Sequence, residues 1–140
     1  MSMLQKEERL RAVISSMERG STLDALEGEI LGCLDCDAAG FRSRCRSLEG
    51  IFDLCRELLP GWQVEMHFNQ QEPLPYTALV RNSGHEVSPH GYAGARGRDA
   101  GTVLLLSLLK GVLARELAQA AAARPLPLFP DMRAAGTAEG

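Results

Sequence analysis

The residues with the clearest chemical potential are a group of thiols and a glycine-arginine stretch. Cys33, Cys36, Cys45 and Cys55 fall close together, and Cys33-Leu34-Asp35-Cys36 has the two-residue gap of a zinc-binding pair. Cys45 offers a third thiolate, although only half of a tetrahedral zinc pattern is present. The alternative is that these are small buried thiols, the ordinary outcome for Cys55 inside the apolar run IFDLCRELL. Thioredoxin-type redox chemistry needs the pair between a strand and a helix, a setting this sequence does not provide. The second feature is GYAGARGRDAGT, residues 91–102. Glycines let backbone N–H groups approach an anion, and Arg96 and Arg98 bring positive charge. Gly97, Gly101 and Thr102 would lead into the positive end of a helix. Those are parts of a phosphate or nucleotide site, yet the glycine spacing matches neither a dinucleotide nor a Walker fingerprint, and such a stretch also serves as plain slack.

Other reactive side chains carry less. His67 alternates with apolar neighbours and reads as an exposed strand histidine; His85 and His90 share a loop whose spacing does not force them together. No serine or cysteine stands in a nucleophile elbow and there is no P-loop, so the expectation is a protein that is not an enzyme and needs no cofactor. The net charge of -3 and the sequence pI near 5.6 give no general attraction to nucleic acid or anionic lipid. The first twenty residues, rich in Lys, Glu and Arg, lack the apolar core of a secretion signal, so a cytoplasmic location off the membrane is expected.

The elements that must position these residues follow from periodicity. Residues 102–122 form a long apolar segment without proline, with Val103, Leu106, Leu109, Leu113 and Leu117 on one side and further leucines widening that face. Lys110, Arg115 and Glu116 interrupt it, so it predicts the buried central helix of a domain, not a bilayer span. Thr102 is its expected N-cap. Ahead of it, residues 4–18 predict an amphipathic helix with Leu10, Val13, Ile14 and Met17 on one face; residues 23–34 a second; and residues 48–59 a third, capped by Ser47. Residues 35–46 read as a loop. Trp62, Val64, Met66 and Phe68 alternate with polar residues in a strand that begins at Pro60-Gly61, and residues 76–81 supply its antiparallel neighbour. A third short strand is expected from residues 86–92, because a lone hairpin is marginal in water. The proline-rich residues 124–140 cannot continue the helix and predict a tail.

This order predicts the α+β class: a small antiparallel sheet sandwiched between helices, an α/β/α sandwich over residues 21–123, preceded by the amphipathic helix of residues 1–20. The runs LDALEGEILG, SLEGIFDLCRELLPGW and AGTVLLLSLLKGVLARELA, with a strand pair between the last two, resemble the phage ABA sandwich domain family. The similarity covers residues 16–122 and rests on hydrophobic patterns and one turn. It implies a sandwich fold and a phage or prophage accessory protein, with no catalytic residues. Members often carry proline where this chain has Val103, and the Cys33/Cys36 pair is not a family hallmark. Some phage proteins disarm host defence by sequestering nucleotide signals, which gives the Arg96/Arg98 stretch a rationale. In the tail, Leu126-Pro127-Leu128-Phe129 resembles segments that dock on the bacterial sliding clamp, without the usual leading glutamine. Self-association is also expected, through pairing of the first helix with its copy, alongside binding to a host or phage protein.

Overall fold

The computed structural model describes residues 3–82 and 91–123. The elements run α1 (Met3–Glu18), α2 (Leu23–Cys33), α3 (Ala38–Arg44), α4 (Leu48–Leu58), β1 (Trp62–Phe68), β2 (Tyr76–Asn82), β3 (Tyr92–Gly97) and α5 (Ala100–Ala123). The chain is α+β, with a three-stranded antiparallel sheet of order β1-β2-β3 packed against helices. α5 organises it. One side of this helix lies on β2 and β3, and it also packs against α1 and α4. Its Val103, Leu104, Leu105, Leu108, Leu109 and Val112 are all buried, which is why so wide an apolar face is needed. Gly111 sets the helix-sheet distance, since a β-carbon there would stand 2.7 Å from Leu59 Cδ1 and 2.8 Å from Val80 Cγ2.

Local sequence explains most boundaries. Thr22 and Ser47 cap α2 and α4, accepting hydrogen bonds from the N–H groups of Ala25 and Gly50 at 3.3 and 3.0 Å. Gly50, where a capping box would have Glu, is needed because any side chain there would run into the Arg44 carbonyl. Gly61, at φ 85°, makes the turn into β1.

Four expectations require correction. Residues 38–44, read as a loop, form α3: Asp37 caps it through Gly40 N–H at 2.9 Å, and the buried Phe41 anchors it to the core. The third strand is Tyr92–Gly97, inside the stretch read as slack, because Ala93, Ala95 and Gly97 give it an inward face small enough to sit beneath α5. The rest of residues 83–90, including His85 and His90, lies outside the described residues. α5 begins before Thr102, and Asp99 supplies the cap. Finally, α1 does not project: Leu10, Val13, Ile14 and Met17 are buried within the common core, so this face is not available for pairing with a copy. Among the described residues no helix is long and apolar enough to cross a membrane.

Candidate functional site

β3 and the first turns of α5 converge with the end of α1 around a groove of about 600 Å³. Its floor is apolar, from the buried Met17, Val103 and Leu106, with the exposed Leu74 at its edge; its rim is charged, from Glu18, Arg96, Arg98, Asp99 and Lys110. Four of the five residues singled out in the sequence, Arg96, Gly97, Arg98 and Thr102, line this groove together. Gly101 lines a smaller adjoining cavity of about 110 Å³ with Asp99, Thr102 and Cys45.

Strand chemistry shapes one wall. Asn82 N–H donates to Gly91 C=O at 2.8 Å, and the register then makes Val80–Ala93, Ala78–Ala95 and Tyr76–Gly97 the hydrogen-bonded pairs. The N–H and C=O groups of Tyr92, Gly94 and Arg96 therefore point away from β2, toward the free edge of β3. Lys110 covers part of that edge, donating from Nζ to Gly94 C=O at 3.1 Å while pairing with Glu18 of α1 at 2.8 Å. Gly97 is required at the corner because a β-carbon would come within 2.7 Å of Val103 Cγ2.

The charges are arranged unequally. Arg96 pairs with Glu72 at 3.1 Å and Lys110 with Glu18, whereas the exposed Arg98 has no hydrogen bond or ion pair among the described residues. The Asp99 carboxylate accepts from Thr102 N–H at 2.8 Å and from Thr102 Oγ1–H at 2.7 Å. These two bonds, the hydroxyl's first, hold its pKa below the ordinary carboxylate value. The start of α5 thus already holds an anion of its own. Glycine amides do not form a phosphate cradle here, because Gly94 and Gly97 lie apart along the extended β3 and Gly101 lies in α5; what remains for an incoming anion is basic side chains.

The thiols do not assemble a metal centre. Cys33, Cys36, Cys45 and Cys55 are all free, and no three potential metal ligands converge among the described residues, so the Cys33/Cys36/Cys45 set is not built. Cys33 closes α2 as a buried core residue, while Cys36 lies past the helix end. Burial raises all four thiol pKa values, Cys45 to about 11 and Cys55 to about 12, the reverse of what a thiolate ligand needs. His67 is exposed on β1 and bonds to Glu65 at 3.1 Å, as expected of a strand-face histidine. Leu126, Leu128 and Phe129 lie outside the described residues.

Sequence reading missed Met17, Leu106 and Lys110. Thr102, Leu106 and Lys110 stand four apart on α5 and so share one face, a signal that was legible once the arginines had been singled out. Nothing local marks Met17, which reaches the groove only through the packing of α1 on α5. Comparison with known proteins supplies no relative: no family model, no curated protein and no solved structure matches the chain.

Proposed function

We propose that this protein works by binding, without catalysis, and that its ligand seat is the groove between α1, β3 and α5. The observation that carries this reading is the convergence of Arg96, Arg98 and Lys110 over an apolar floor, with Arg98 unpaired among the described residues. A ligand with an apolar or aromatic body and a phosphate or carboxylate group meets both halves of the site, and a nucleotide is the simplest such molecule. The groove volume of about 600 Å³ lies in the range of small-molecule pockets. Arg98 would take the anion first; Arg96 exchanges its exposed pair with Glu72 at little cost, since such surface pairs contribute about 1 kcal/mol or less. The phage ABA sandwich resemblance supports a role as an accessory protein of a phage or prophage in the bacterial cytoplasm, where sequestering a nucleotide signal is one use for such a groove.

Isothermal titration of the full chain with mononucleotides, cyclic nucleotides and inorganic phosphate tests the reading. Saturable binding that weakens about tenfold or more in Arg98→Ala is expected, the size of one lost charge-assisted hydrogen bond. Absence of heat with every probe rejects it.

A further inference from the structure

The opposite edge of the sheet carries a separate reading that does not depend on the groove. Asn69 N–H donates to Pro75 C=O at 2.9 Å, so by register His67, Glu65 and Gln63 bond to Thr77, Leu79 and Arg81 of β2. The N–H and C=O groups of Val64, Met66 and Phe68 consequently point outward from β1. Among the described residues no strand or helix pairs with them, in contrast to β3, whose edge Lys110 covers. The side chains agree. Val64 and Met66 are only half-buried, since α5 lies over β2 and β3, and Phe68 is 57% exposed beside Tyr76.

We infer that β1 pairs antiparallel with β1 of a second copy of this chain, joining two three-stranded sheets into one of six strands about a two-fold axis at Met66. The choice of occupant and register rests on the complementarity of Glu65 and His67, a carboxylate and an imidazole that already bond to each other. Centring the axis on Glu65 would set it against the partner's Glu65, and centring it on His67 would set it against the partner's His67. Centring on Met66 places Glu65 opposite the partner's His67 and His67 opposite the partner's Glu65, in a non-hydrogen-bonded position where facing side chains lie closest. Glu65 bonds to His67 along one strand at 3.1 Å and pairs with Arg81 of β2 through its other oxygen, so the dimer joins two such triads into a six-residue cluster. The same register puts Val64 opposite the partner's Phe68, so the half-covered apolar rows meet and every outward backbone group gains a partner.

Light scattering and sedimentation of the full chain, from micromolar to near-millimolar, should show a dimer. Met66→Pro removes an N–H that faces only the edge, leaving the β1–β2 ladder intact, and should raise the dimer dissociation constant about tenfold or more with an unchanged circular dichroism spectrum. His67→Glu, an exposed change that leaves the core untouched, should weaken the dimer as well by setting like charges face to face. Under oxidising conditions Met66→Cys should cross-link to its own copy, its Cα atoms standing about 5.5 Å apart, while Val64→Cys should not. A dimer indifferent to both Met66→Pro and His67→Glu overturns the inference, as does cross-linking through position 64 instead of 66. A monomeric full chain overturns it too, including the case where removing residues 124–140 releases a dimer, since the tail would then be the edge's occupant.

Discussion

Glycine substitutions show most sharply that single residues here answer to packing before propensity. In an exposed helix Gly→Ala stabilises by about 0.5–1 kcal/mol, and Gly28, whose β-carbon would meet nothing within 4 Å, should follow that rule. Gly111→Ala should reverse the sign and destabilise by about 1–3 kcal/mol, because Val80 is held in a strand and Leu59 is fully buried. Gly50→Ala should cost at least as much, since its obstacle is backbone. Urea unfolding of the three variants checks the order. The thiols make a second prediction. Cys45 and Cys55 have folded pKa values of about 11 and about 12, above the ordinary thiol value near 9, so the neutral form is favoured in the fold. Their contribution is complete below about pH 9, and it is lost as the pH rises toward 11 and 12 because the unfolded thiols ionise first. Unfolding midpoints should therefore fall between about pH 8 and about pH 10.5, with Cys55 resisting alkylation throughout.

At the scale of elements, α1 and α5 depend on each other. Leu10 is fully buried, and Lys6 reaches Glu116, the buried carboxylate of α5, at 3.2 Å. Lys110 fastens the other end of α1 through Glu18. Leu10→Ala should lower unfolding free energy by about 2–5 kcal/mol. Removing residues 1–19 should expose the α5 face and produce an unfolded or aggregating chain, read by circular dichroism and light scattering; a folded, soluble remainder would show that α1 is an appendage.

The whole molecule shows which kinds of information the sequence carried. The hairpin of β1 and β2 was legible because period-two alternation and a proline-glycine turn are local signals, and α5 because its apolar run exceeds any strand. β3 was not. Its alanines and glycines have no strand propensity, and they form an edge strand only because α5 demands small residues beneath it. α3 was missed for a related reason, since its helix is held by one buried phenylalanine and by pairs from Arg42 to Glu27 and Arg44 to Glu57 that no local pattern announces. For the groove, the arginines were visible in the sequence, while its floor came from tertiary packing and its counter-charge from Asp99, whose role as cap had been assigned to Thr102.

That carboxylate gives the most direct test of the groove as an anion seat. Asp99→Asn keeps a capping oxygen for Thr102 N–H but removes a negative charge beside the arginines, whereas Arg98→Ala removes a guanidinium from the rim. In one isothermal titration series with a single nucleotide, Asp99→Asn should bind about threefold tighter than the unaltered chain and Arg98→Ala about tenfold weaker. Equal affinities across the three proteins, or no binding in any of them, would contradict the account.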